Sequence, residues 1–190
     1  MSRPAILLGA ALLALAAGCG GTTTVTVSRT VTHQVTVTTT ATTTAAPAPC
    51  GGNALSGTFA VVPGSAGAGQ VSYRLRLANG SGTACTLSGL PAVELRDGSG
   101  TLLPTHVRPS EPGQATAPLV TLAPGKAATA DARFSPDVPG PTEQHPGACE
   151  PTAHVLRVTA PGGGSVDVPV EPPTSVCEQG SLELSVFTAG

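Results

Sequence analysis

From residue 50 onward, apolar side chains return at every second position. Val71, Tyr73, Leu75 and Leu77 alternate with Ser72, Arg74 and Arg76, and Val166, Val168 and Val170 alternate with Ser165, Asp167 and Pro169. Val93 and Leu95 flank Glu94, and Leu182, Leu184 and Val186 flank Glu183 and Ser185. A period of two turns one face of an extended strand toward a core and the other toward water, which is the pattern of half-buried antiparallel strands. Further strands are predicted over Thr58–Val62, Thr83–Leu87, Leu119–Leu122, Ala127–Phe134 and Ala153–Thr159. The four alanines of Ala127–Phe134 also suit a helix. The preceding Ala123-Pro124-Gly125 decides for a hairpin strand, because Pro and Gly there fill the two central positions of a type II turn.

Between the strands, Asn79-Gly80, Asp97-Gly98 and Pro161-Gly162-Gly163-Gly164 are turn sequences. Within the domain, no stretch free of both Gly and Pro exceeds the ten residues of 70–79 and 126–135, so helices of ordinary length have no place. Short strands at this spacing predict an all-β domain, an immunoglobulin-like antiparallel β-sandwich of about seven to nine strands. With no Trp to pack on a disulfide, a jelly roll or another Greek-key sandwich is the alternative.

The first fifty residues have a different pattern. Residues 1–18 hold one cation, Arg3, and an apolar run from Ala5 to Gly18, the layout of a signal peptide. As a helix this run would rise about 21 Å, short of a ~30 Å hydrocarbon core. The sequence Leu15-Ala16-Ala17-Gly18-Cys19 resembles the lipobox of bacterial lipoproteins, which implies lipidation of Cys19 and attachment to a membrane; the alternative is a secreted protein. Residues 19–49 contain thirteen threonines and end in Ala45-Ala46-Pro47-Ala48-Pro49, a composition that cannot form a packed core. We read this tract as a disordered, solvated tether, a plausible carrier of O-linked sugars. Val25, Val27, Val31, Val35 and Val37 nevertheless share strand parity, so pairing of the tract is the competing reading.

Charge narrows the range of partners. The chain has 190 residues, a formal net charge of −2, nine Lys plus Arg and 2% aromatic side chains. That leaves neither a basic footprint nor a stacking platform for nucleic acid.

Four cysteines fall in the domain, Cys50, Cys85, Cys149 and Cys177. In an exported, aromatic-poor domain they imply two disulfides with three possible pairings. We favour Cys50 with Cys177 and Cys85 with Cys149, since the first would fasten the opening of the domain to its last strand and the second would pin the Pro-rich loop 135–148. A zinc site lacks any Cys-x-x-Cys pair. Copper carriage lacks an internal Met or a His pair along one strand face.

Hydrolase and phosphate-binding motifs are missing from the sequence. His33 lies in the tether and His106 and His145 lie in Pro-flanked loops, while His154 shares parity with Leu156 and Val158 and would sit at a core boundary. The acidic residues are scattered without a calcium-loop spacing. Asn79-Gly80-Ser81 matches a glycosylation acceptor, for which the turn is sufficient explanation.

The block Leu77-Ala78-Asn79-Gly80-Ser81-Gly82-Thr83-Ala84-Cys85-Thr86-Leu87-Ser88-Gly89-Leu90-Pro91, with Leu122-Ala123-Pro124-Gly125 and the spacing of Cys50, Cys149 and Cys177, resembles a family of exported actinobacterial domains of unknown function, number 4232. Leu90 departs from the aromatic residue usual there. The resemblance implies a β-rich envelope domain and carries over no catalytic, cofactor or metal residue. The expected function is therefore a non-enzymatic, lipid-anchored module that recognises an envelope protein or glycan, with the loops 101–117 and 135–148 as contact surfaces. The alternatives are a passive spacer or coat protein, and a cell-wall-acting enzyme with an unfamiliar site.

Overall fold

A computed structural model describes residues 24–30, 36–42, 45–113, 117–141, 143, 149 and 151–190. The predicted signal segment, Cys19, His33 and His145 lie outside them. The chain separates into two units, Met1–Ala46 and Pro47–Gly190.

In the first unit, β1 (Thr24–Thr30) pairs antiparallel with β2 (Thr36–Thr42), Thr24 opposite Thr42 and Thr30 opposite Thr36. The tract expected as a disordered tether thus carries paired strands. The strand parity of its valines and the β-propensity of Val and Thr outweigh its lack of a core. The end of the Ala/Pro stretch belongs to the second unit, where Thr86 N–H donates to Ala48 O at 2.9 Å and Pro49 bridges to Thr86.

The second unit is all-β. Its strands are β3 (Leu55–Val61), β4 (Val71–Asn79), β5 (Cys85–Ser88), β6 (Ala92–Arg96), β7 (His106–Pro109), β8 (Leu119–Leu122), β9 (Ala127–Phe134), β10 (Ala153–Thr159), β11 (Ser165–Thr174), β12 (Ser181–Leu184) and β13 (Thr188–Ala189). Nine of them form one sheet in the order β6-β10-β11-β3-β4-β9-β12-β7 with β13 also against β9, and β5 pairs with β8 apart from it. The strands expected over 119–122, 127–134 and 153–159 stand at those positions. The predicted turn at Pro124-Gly125 closes with Lys126 N–H on Ala123 O at 2.9 Å and Gly125 at φ +75°.

Two junctions depart from the all-antiparallel expectation: β11 runs parallel to β3 and β7 parallel to β12. The β11–β3 junction is short, Val170 opposite Phe59 and Glu171 opposite Ala60, and it joins β6, β10 and β11 to the other strands in one continuous sheet. The strand β7 was unexpected, because His106-Val107-Arg108-Pro109 has one apolar residue and ends in Pro. An edge strand needs neither two-sided burial nor a full ladder.

The core follows the predicted parity. In β4 the buried residues are Val71, Tyr73, Leu75, Leu77 and Asn79, and in β11 they are Val168 and Val170. Phe59, Tyr73 and Phe134 stack in tilted sequence with centroids 5.1 and 5.2 Å apart. Burying each Leu or Phe contributes about 1.5–3 kcal/mol. Ala128, Ala130 and Ala132 of β9 are fully or almost fully buried, between β4 on one side and β12 and β13 on the other. His154 breaks parity. An irregularity between Ala153 and Val155 turns Ala153 inward and His154 outward, so the expected boundary histidine is exposed, its ring facing Gly98.

Candidate binding cleft

The sheet opens where its parallel junction ends. Beyond Ala60 and Glu171, β11 leaves β3, and the space between them is walled by the β3–β4 hairpin on one side and by Pro136 and Asp137 on the other. The hairpin tip is a two-residue turn. Gly67 and Gln70 exchange backbone hydrogen bonds at 2.9 and 3.0 Å, and Ala68 and Gly69 between them have φ of 52° and 74°, as a type I′ turn requires. Gly69 also leaves room for the opposite wall, since a Cβ there would stand 2.7 Å from Val138 Cγ2. Ser135 shapes that wall: its hydroxyl donates to Val138 O at 3.1 Å and accepts Val138 N–H at 3.0 Å.

The resulting cleft encloses about 320 Å³ and is mainly apolar, with Val61, Val71, Pro136 and Pro172 on its sides and Tyr73 at its base. Its polar groups are few. The Tyr73 hydroxyl donates to Pro172 O at 2.9 Å, and burial pushes its pKa above the usual phenol value against a smaller opposing effect of the Thr174 hydrogen bond. Gln70 Oε1 is covered from solvent and accepts no hydrogen bond among the described residues. A covered acceptor without a donor is costly, so its persistence requires an explanation. Asp137 at the rim is exposed and forms no ion pair among the described residues.

A second concavity of about 240 Å³ lies at the end of β12, between Leu90, Pro109, Leu184 and Val186. Each loop expected as a contact surface contributes to one concavity: 135–148 supplies Pro136 and Asp137 to the first, and 101–117 supplies Pro109, Ser110 and Glu111 to the second. Residues 114–116, 142 and 144–148 of those loops lie outside the described residues. Neither Gln70 nor Tyr73 stands out in the sequence as a site residue. The available signal was a lone polar side chain directly after a Gly-Ala-Gly turn, which reads equally well as an ordinary hairpin flank.

The four cysteines form two disulfides, Cys50–Cys85 and Cys149–Cys177, with Cα separations of 4.9 and 5.2 Å. This corrects the favoured pairing of Cys50 with Cys177 and Cys85 with Cys149. Cys50 is laid along β5 by its N–H on Thr86 O at 2.9 Å, and its carbonyl accepts Gly162 N–H at 2.8 Å. A Cβ at Gly162 would stand 2.5 Å from Pro49 O, so this approach needs glycine. Cys177 is held elsewhere, its N–H on Ser135 O at 2.9 Å, next to the loop that carries Cys149.

Glu143 completes that second cluster. Its carboxylate oxygens accept N–H bonds from Gly140 at 2.5 Å and Gln179 at 2.7 Å. Desolvation raises its pKa, but the N–H groups of Gln179, Gly140 and Glu178 outweigh this and hold it below the usual carboxylate range. Glu178 and Gln179 have φ of 56° and 58°, so their successive N–H groups form a concave anion cradle, which this internal carboxylate fills. Glu143, Cys149 and Cys177 bring three potential metal-ligand atoms within 4.8 Å. The two sulfurs are bonded to each other and the carboxylate is occupied, so the donor set is that of a structural clasp.

The family model described as Domain of unknown function (DUF4232) matches residues 50–188. No curated protein and no solved structure matches the chain.

Proposed function

Since the chain belongs to the Domain of unknown function (DUF4232) family, whose description assigns no activity, we propose its role from its own residues: a non-enzymatic recognition module of the cell envelope, held to the membrane by a lipid on Cys19. The observation that carries the reading is the cleft at the end of β3 and β11, an apolar concavity with an unpartnered acceptor, Gln70 Oε1, at its wall. Pockets of this composition bind ligands through apolar contact and a few oriented polar groups.

Two disulfides belong to an oxidising, extracytoplasmic compartment, and among the described residues no helix is long and apolar enough to cross a membrane. Both fit a protein attached through its N-terminus. The immunoglobulin-like sandwich is part of the same proposal: β6, β10 and β11 would form one layer and β3, β4, β9, β12 and β7 the other. The two-pair junction between β11 and β3 supports that division.

The test is retention of envelope proteins and wall glycans on the immobilised, oxidised 190-residue chain, compared with Ala66→Trp, which places a bulky ring at the exposed mouth of the cleft. A partner retained by the native chain and lost from Ala66→Trp is expected. Equal retention by both would contradict the cleft, and no retention by either would favour a spacer. Intact mass of the membrane-extracted protein tests the anchor, which requires mass beyond the residues at Cys19.

A further inference from the structure

We propose that the outer face of β4, β9, β12 and β7 docks a linear acidic glycan, whose anionic groups meet a track of arginines. Strand register builds the track. On β4, Arg74 and Arg76 are exposed between buried neighbours, and Arg74 stands opposite Asp131 of β9. Arg133, two residues beyond Asp131, stands opposite Glu183 of β12, which in turn stands opposite Arg108 of β7. Arg108 and Arg133 are exposed as well. Two residues along a strand span about 7 Å, a diagonal pair about 8 Å and two strand widths about 10 Å, so Arg76, Arg74, Arg133 and Arg108 succeed one another at about these intervals. Arg74 is paired with Asp131 through hydrogen bonds of 2.7 and 3.0 Å, whereas Arg76, Arg108 and Arg133 form no ion pair among the described residues. In β6 and β10, by contrast, Arg96 and Arg157 are both paired.

The charge of the domain is divided unevenly. Residues 50–190 carry seven Lys and Arg and all eleven Asp and Glu of the chain, a net charge of −4. Four of the seven cations but only two of the eleven carboxylates, Asp131 and Glu183, lie on this face, which is net +2 where the rest of the domain is −6. Glu171 of β11, opposite Ala60, stands two strands from Arg74 and outside the track. Hydroxyls lie between the cations, Ser72 opposite Arg133 and Thr129 opposite Arg76. None of the exposed large aliphatics, Val61, Leu102, Leu119 and Val138, belongs to these four strands. A bilayer-binding face inserts apolar side chains, and base stacking needs aromatic rings. Arginines and hydroxyls in series instead match a hydrated polymer with repeating carboxylate, sulfate or phosphate groups, whereas a single small anion would engage only part of the series. The cleft takes Val71 and Tyr73 from the opposite face of β4, so the two surfaces are independent.

The test is binding of the 190-residue chain to a fluorescent heparin dodecasaccharide from about 50 to about 200 mM salt. Saturable binding that weakens as salt rises is expected. Arg133→Gln and Arg108→Gln should each weaken it by up to about fivefold, as for an exposed ion pair. Arg76→Gln/Arg133→Gln should reduce the slope of log K against log salt by about one to two. Glu183→Gln should tighten binding by up to about fivefold, because it removes the carboxylate between Arg133 and Arg108; loss of a merely structural residue would not strengthen binding. Lys126→Gln removes the same charge from the β8–β9 turn, and Ala66→Trp obstructs the cleft. Both should bind as the native chain does, so failure of this face and failure of the cleft are seen separately. No binding at the lowest salt, or a loss from Lys126→Gln equal to that from Arg133→Gln, overturns the track. Equally tight binding to phosphatidylglycerol vesicles, to an oligothymidylate of matching charge or to neutral dextran overturns the acidic glycan as the partner.

Discussion

The two disulfides close similar lengths of chain, with sequence separations of 35 and 28 residues, so loop-closure entropy assigns each roughly 4 kcal/mol. Their surroundings differ. Cys50 and Cys85 are buried in the core beside Leu87 and Leu122, and the side chain that organises this end is neutral and fully buried. That residue is Asn79: its Nδ2 donates to Thr83 O and Leu122 O at 2.8 and 2.9 Å, while its Oδ1 accepts from the Ser81 N–H and hydroxyl. At the other end Cys177 is buried but Cys149 is partly exposed, and the organising side chain is the Glu143 carboxylate. One end thus has no group that water, acid or a reductant reaches easily. The other has both an ionisable group and a partly exposed cysteine, and it adjoins Ser135, whose loop forms a wall of the cleft. Equal entropic staples can therefore secure a rigid foundation at one site and a condition-dependent wall at the other.

The comparison is broken most severely by removing the buried bridge. Cys50→Ala/Cys85→Ala should lower stability by about 4–5 kcal/mol in urea unfolding, and Cys149→Ala/Cys177→Ala by about 3 kcal/mol, since removing the former also frees the 47–50 segment from the core. Asn79→Ala should cost about 2–3 kcal/mol, because it strands the Leu122 and Thr83 carbonyls in or near the interior. Under a mild reductant, thiol trapping and mass analysis should find Cys149 and Cys177 modified before Cys50 and Cys85. The smallest effect belongs to Glu143→Gln. Its folded pKa is depressed, so the carboxylate's contribution is complete above the unfolded value of about 4.3 and is lost as pH falls through the lower folded value. The stability gap between native chain and variant should be present at neutral pH and close on acidification.

The domain's strands were readable because residues such as Leu75, Leu77, Val168 and Leu182 are apolar at every second position, and burial on one face requires that period. Strand partners were not readable. Parallel contact between β11 and β3 depends on long-range packing, and nothing local in Val170-Glu171 or Phe59-Ala60 specifies it. The disulfide pairing failed for a related reason: an order of elements along the chain suggested it, whereas backbone docking of Cys50 on Thr86 and of Cys177 on Ser135 determines it. His154 was misplaced by one irregularity, which reverses parity within a single residue. The cleft was half legible. Its loop wall was expected as a contact surface, but Gln70 becomes conspicuous only when its oxygen is seen to be covered and unpaired.

The measurement that reaches the central claim most directly is the unfolding free energy of Gln70→Leu against the native chain. A covered acceptor without a partner destabilises the domain, so replacing it with an apolar side chain of similar length should leave stability unchanged or raise it by up to about 1 kcal/mol. A loss of more than about 1 kcal/mol would show that Gln70 carries a structural hydrogen bond, and would contradict the account of the cleft as a binding site.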